Sequence, residues 1–195
     1  MHVIVPLAGP DFIRQDGSLK ALTSFKEQPL LKYVLNSRPW VSDIDCYTFV
    51  LFDCEKTRCF VRDHLSKWFN NYSIIYISRY SRGAAITALA GVAMNHNFSD
   101  CIVIDLADIF YKCTLNIEKL LESDLSVGGI ALAFHSSNPI YSYLSTNENG
   151  KVIKAAEKTV ISEYASAGTY IFRDSATLLK SISHAMENES TQTYN

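Results

Sequence analysis

The residue types that could do chemistry in this chain stand at the ends of its apolar runs. Val3-Ile-Val-Pro-Leu-Ala-Gly9 reads as a buried strand followed by small residues, and Ala8-Gly9 lets the backbone turn closely against a ligand. Eleven residues after Gly9, Lys20 brings a point charge back over that turn. Small residues after a first strand, with one returning cation, suit the phosphates of a nucleotide. A second run, Cys101-Ile-Val-Ile-Asp-Leu-Ala-Asp108, carries two carboxylates at its end, where α/β sheets bind ligands. On residue type alone, Asp105 and Asp108 read equally as strand-end aspartates capping a turn. Gly83 with Ala84 and Ala85 would let a flat base or ribose pack on the backbone, although an Ala-rich helix is also a close-packing device. Glu157-Lys158 is, by itself, a commonplace solvated pair.

These groups need a scaffold, and the hydrophobic pattern supplies one. Apolar and β-branched runs at 3–7, 47–52, 73–77, 101–104 and 128–134 read as buried strands. Helical patterns fall between them at 56–69, 83–94 and about 116–122, with Pro29 suited to the first turn of a further helix. In the segment 56–69, Phe60, Val61, Leu65, Trp68 and Phe69 recur at three- and four-residue steps. Such alternation predicts a mostly parallel sheet covered by helices. After residue 134 the rhythm changes. The segments 140–144 and 152–155 flank Asn147-Glu-Asn-Gly150 and predict an antiparallel excursion. A last strand at 169–172 leads to Asp174, read as the N-cap of a helix from 175 to about 186.

Composition narrows the function classes. With 195 residues the chain is read as a single domain, 1–195, and 48% hydrophobic with 19% charged residues describes a folded, soluble protein. A formal charge of −2, with no Lys/Arg cluster, argues against nucleic acid and membrane partners. The start of the chain lacks the basic flank of a signal peptide, so a cytoplasmic location is the expectation. The five cysteines, Cys46, Cys54, Cys59, Cys101 and Cys113, form no Cys-x-x-Cys pair and are read as reduced thiols. Cys54, Cys59 and His64 fit no standard zinc spacing. There is no Gly-x-Ser-x-Gly elbow and no Walker A motif, and the histidines are scattered.

Taken in order, the charged and small-residue blocks resemble those of the sugar-phosphate nucleotidyltransferases, the pyrophosphorylase-like branch of the GT-A fold. Leu19-Lys20-Ala-Leu22 and Lys26-Glu-Gln-Pro-Leu-Leu31 stand where that family has a Pro-Lys after its Gly-rich loop and a Gly-Lys-Pro-Leu-Ile block. Asp105-Leu-Ala-Asp-Ile-Phe110 is similar to the Leu-Gly-Asp-Asn/Asp-Ile-Phe motif, and Tyr80-Ser-Arg-Gly-Ala-Ala85 to the segment near the nucleobase. Gly150-Lys-Val-Ile-Lys-Ala-Ala-Glu-Lys158 and Ser166-Ala-Gly-Thr-Tyr-Ile-Phe172 match the later pair of blocks. The resemblance implies that Leu7, Ala8, Gly9, Gly83 and Ala84 line the nucleotide site and that Lys20 holds phosphate. It implies Mg²⁺ on Asp108, acceptor hydroxyls on Glu157, acceptor phosphate on Lys158, and Gly168 in the substrate-facing block. Arg14 stands at the place of the loop arginine and, by that resemblance, is expected to be catalytic together with Lys20 and Asp108. The chain departs from the pattern in Gly9-Pro-Asp-Phe-Ile-Arg14, which replaces Gly-X-Gly-Thr-Arg, and in Ala107, Thr159 and Ser166.

The expectation is therefore a Rossmann-like three-layer α/β/α fold of GT-A type that moves NMP from an NTP to a phosphosugar or related phosphorylated metabolite. Homo-oligomerisation is left open. Two other readings stand beside it. One is a GT-A glycosyltransferase with Asp105-Leu-Ala-Asp108 as a paired-aspartate metal motif; the other is a non-catalytic nucleotide-binding relative. The family places a second metal-binding aspartate beyond the last helix, so the chain is also expected to lack a C-terminal segment.

Overall fold

The computed structural model describes residues 1–80, 83–95 and 97–192. Its centre is built by the continuous apolar runs. β1 (His2–Leu7) leads through a long loop and a 3₁₀ turn at Lys20–Leu22 into a small hairpin, β2 (Ser24–Phe25) and β3 (Gln28–Pro29). Lys26 and Glu27, both at positive φ (48° and 62°), make its two-residue turn. Pro29 then sits one residue ahead of α1 (Leu30–Asn36), where it leaves no helical donor unpaired. β4 (Cys46–Phe52), α2 (Glu55–Phe60), α3 (Ser66–Trp68), β5 (Tyr72–Ile77) and α4 (Ala84–Val92) complete the first half. The second half holds β6 (Ile102–Asp105), α5 (Ile117–Ser123), β7 (Gly129–His135), β8 (Tyr143–Thr146), β9 (Val152–Ala156), β10 (Tyr164–Phe172) and α6 (Ser175–Gln192).

One sheet runs β5-β4-β1-β6-β10-β8-β9, with β7 also paired to β10. The strands β5, β4, β1 and β6 are parallel to one another, and β1 lies between β4 and β6. From β10 onward the pairing is antiparallel. Alternation along β1 explains the layers. Val3, Val5 and Leu7 point to one core with Leu31, Phe49 and Phe60, while Ile4 points to the other with Ala88, Val92 and Leu178. Helices therefore cover both faces, as the sequence predicts.

Three details differ from the sequence reading. The run 128–134 is a strand, but β7 is antiparallel to β10 and mostly half-buried or exposed rather than a fully buried member of the parallel set. The helix expected at 56–69 contains a π-turn at Val61–Leu65, which still buries Phe60, Leu65 and Phe69 on one side. The last helix reaches Gln192 instead of ending near 186. Asp174 does start it: its Oδ1 accepts the Thr177 N–H at 2.7 Å. The antiparallel excursion is present as β8 and β9 around the Asn147–Gly150 turn. Among the described residues no helix is long and apolar enough to cross a membrane.

Candidate active site

At the carboxyl ends of β1 and β6 a cleft of about 290 Å³ opens between the loop after β1, the start of α4 and the residues after β6. Pro6, Leu7 and Gly9 form its floor, Gly83, Ala84 and Thr87 one wall, and Leu106, Ala107 and Asp108 another. The parallel pairing of β1 and β6 puts both strand ends on one rim, which is where such sheets bind ligands.

Two charges face each other across this rim. Lys20, 88 residues from Asp108 in sequence, donates to its Oδ2 at 3.3 Å and to Asp11 Oδ2 at 3.0 Å. Burial opposes the charge on the Lys20 ammonium, but the two carboxylates outweigh it and raise its pKa. Burial also works to raise the Asp11 pKa, and the Lys20 hydrogen bond and charge overcome it, so Asp11 stays below the usual carboxylate range. The Asp11 carboxylate folds back over the turn: a Cβ added to Gly9 would lie 2.8 Å from Asp11 Oδ1. The contact is with the end of an exposed side chain, so it records how closely the carboxylate approaches the turn.

The loop lacks a second glycine and is anchored in another way. Phe12 is buried and meets the Phe60 ring edge-on at 5.6 Å. Beyond that anchor, Ile13 bridges Leu19, and Arg14 donates to Thr23 Oγ1 at 2.7 Å. Arg14 does not line the cleft.

The two aspartates of the 105–108 block have different surroundings. Asp105 is 1% exposed and receives a two-pronged ion pair from Arg38, Nε to Oδ2 at 2.6 Å and Nη2 to Oδ1 at 2.8 Å. It does not line the cleft, and both its oxygens are engaged by Arg38 and the Ala107 N–H. Asp108 is half-exposed at the rim. Its hard carboxylate oxygens suit Mg²⁺, and Asp11 is the nearest second carboxylate on the same ammonium. Among the described residues no group of three or more His, Cys, Asp or Glu converges as a metal cage. Between the two aspartates, Ala107 adopts φ 54°, the left-handed conformation that glycine takes at least cost.

The remaining expected site residues divide. Leu7, Gly9, Gly83 and Ala84 line the cleft, whereas Ala8 is fully buried beneath it. Gly83, at φ 122°, begins α4 with open space where a side chain would stand. Ser81 and Arg82 of the same block lie outside the described residues. Gly168, at φ 71°, packs against Leu106, and its carbonyl accepts the Leu106 N–H at 2.9 Å, so it supports the cleft wall from behind. Glu157 and Lys158 form an exposed pair 4.0 Å apart on the turn after β9 and do not line the cleft. Sequence reasoning missed Asp11, although a charge in place of a loop glycine is a visible signal, and it missed Arg38, which carries none.

Neither a protein-family model nor a curated protein matches the chain. Solved structures do. A nucleoside-diphosphate-sugar pyrophosphorylase from Vibrio cholerae superposes with a TM-score of 0.77 at 22% identity, over 95% of this chain and 78% of that one. A putative glucose-1-phosphate thymidylyltransferase from Bacillus anthracis gives 0.68 at 15% identity, over 91% and 72%. HddC from Yersinia pseudotuberculosis gives 0.63 at 16%, over 88% and 76%. At these identities the likeness speaks for architecture: the chain has the fold of the sugar-phosphate nucleotidyltransferases.

Proposed function

We propose that the protein is a nucleotidyltransferase that moves NMP from an NTP to a phosphosugar or related phosphorylated metabolite and releases pyrophosphate. One observation carries this reading: Lys20 and Asp108 meet at 3.3 Å above the Gly9 turn, at the rim where β1 and β6 end. An ammonium over a backbone turn binds phosphate oxygens, and Asp108 would hold Mg²⁺. When bound, Mg²⁺ would offset charge on the α-phosphate oxygens.

The acceptor phosphate is already anionic and needs no protein base. Its oxygen attacks the α-phosphorus in line, the bond from the α-phosphorus to its bridging oxygen breaks, and the electron pair leaves on pyrophosphate. Gly83 and Ala84 give the base or ribose a flat wall, and Lys20 orients the phosphates. The resemblance alone assigns acceptor hydroxyls and phosphate to Glu157 and Lys158, which stand on an exposed turn outside the cleft, while Gly168 supports the wall behind Leu106. Arg14, held by Thr23, is assigned a role in fixing the loop. The paired-aspartate glycosyltransferase reading loses support because both Asp105 oxygens are engaged by Arg38.

The test is pyrophosphate release from each of four NTPs, with Mg²⁺, against a panel of phosphorylated sugars and polyols. At least one pair should turn over. Release of nucleoside diphosphate from a nucleotide-sugar instead would refute the proposal in favour of glycosyl transfer, and silence across the panel would favour a binding relative.

A further inference from the structure

Asp108 is flanked by residues tied to one buried ion pair, and we infer that Arg38 and Asp105 are positioning residues that aim the Asp108 carboxylate into the cleft. The inference rests on the nucleotidyltransferase reading for what Asp108 does there. Asp105 is the last residue of β6, and its side chain and that of Arg38 are each 1% exposed. Asp105 Oδ1 accepts the Ala107 N–H at 2.8 Å, and both Arg38 Nη groups donate to the Ile109 carbonyl at 3.3 Å. The residue before Asp108 and the residue after it are thus fixed by the two halves of one pair.

The backbone between them explains why fixing is needed. Ala107 at φ 54° reverses the chain in a conformation that a residue with a side chain disfavours, and such conformations persist where the surroundings impose them. The Asp105–Ala107 hydrogen bond is that imposition. On the far side the Arg38 guanidinium lies over the Tyr111 ring at 4.0 Å, and the Tyr111 hydroxyl pairs with Thr169 Oγ1 at 2.8 Å. Thr169 is in register with Asp105 across β6 and β10, so the loop is pinned at both ends. Arg38 stands two residues past the end of α1, whose first residues Leu30 and Leu31 line the cleft. One pair therefore sets cleft wall and carboxylate together. Stability is a poor alternative account, because a buried ion pair is commonly matched or bettered by apolar residues of the same volume.

The decisive variant is Arg38→Met/Asp105→Leu, which removes both charges and leaves neither buried alone. Its crystal structure should keep the sheet but lose the 3.3 Å contact between Lys20 and Asp108. Calorimetric titration with Mn²⁺ and inorganic tripolyphosphate should show affinity about tenfold weaker or more, the usual effect of removing a group that orients a metal-binding carboxylate. Adding Asp108→Ala in that background should then cost nothing further, since the pair acts through Asp108. Should the double variant not fold, Arg38→Lys, which keeps charge but loses the fork, carries the same cycle. An unmoved Asp108 with unchanged affinity, or losses that simply add, overturns the inference. If the wild-type protein binds no tripolyphosphate, the nucleotidyltransferase reading fails, and the position of Asp108 in the variant still decides the role of the pair.

Discussion

On the proposed function Asp11 sits where an incoming phosphate would go, and neutralising it should tighten anion binding. Its Oδ2 accepts from Lys20 at 3.0 Å and its other oxygen leans over Gly9, so the carboxylate occupies both the cation and the turn that phosphate requires. Two carboxylates against one ammonium leave a local excess of one negative charge. At 3 Å a unit pair is worth roughly 1.4 kcal/mol in water and about 5 kcal/mol at an effective dielectric of 20. The Asp11 side chain is 70% exposed, so solvent screening brings the net value to the upper end for surface pairs, about 1 kcal/mol. Asp11→Asn keeps the shape and removes the charge. The expected result is roughly fivefold tighter binding of inorganic tripolyphosphate, the equivalent of that energy.

Calorimetry at low and high salt checks the cause as well as the size. Exposed charges are screened within about 10 Å at 0.1 M salt, so the gain should shrink as salt rises. Unchanged or weaker binding by Asp11→Asn would refute the reasoning and make Asp11 a contributor to the site instead of a competitor.

Lys20→Ala should lower kcat/KM for pyrophosphate release by about a hundredfold or more, with the melting temperature within a degree or two of wild type, since the side chain serves the rim and not the core; normal turnover would remove Lys20 from the mechanism. Ala107→Gly should stabilise the protein by about 0.5–1 kcal/mol in chemical denaturation, because glycine adopts φ 54° without the Cβ clash. Gly91→Ala should do the reverse: the added Cβ would lie 2.5 Å from Ile4 Cγ2, in the packed face between α4 and β1, and overpacking of that kind costs about 1–3 kcal/mol. A melting temperature equal to wild type for that variant would show that the helix shifts freely.

The parallel half of the sheet was legible because its strands are buried on both faces, which writes continuous apolar runs at β1, β4 and β6. Local signals worked as well: the turn at Asn147, and Asp174, which needs only its own Oδ1 and a nearby N–H to start a helix. The direction of β7 was not legible. An apolar run such as Gly129–His135 carries no mark of which neighbour it will meet or which way it will run. The π-turn at Val61–Leu65 was also hidden, since an extra residue in a helix turn leaves the buried positions on one side.

For the site, the division follows from what each residue depends on. Asp108 lies three residues past β6 and Lys20 returns over the end of β1 on the loop that follows it, so both reach one rim, and the order of the blocks in the family resemblance singles them out. Asp105 differs by a partner 67 residues away, and no local pattern separates a strand-end cap from half of a buried pair. Arg14 rested on a motif whose second glycine this loop does not have. With Phe12 driven into the core against Phe60, hydrophobic anchoring sets the path of the loop and turns Arg14 toward Thr23. The same substitution pattern brings Asp11 over Gly9. What makes this loop depart from the nucleotidyltransferase motif is therefore also what places a carboxylate against Lys20, the residue to which the proposed function assigns the phosphates.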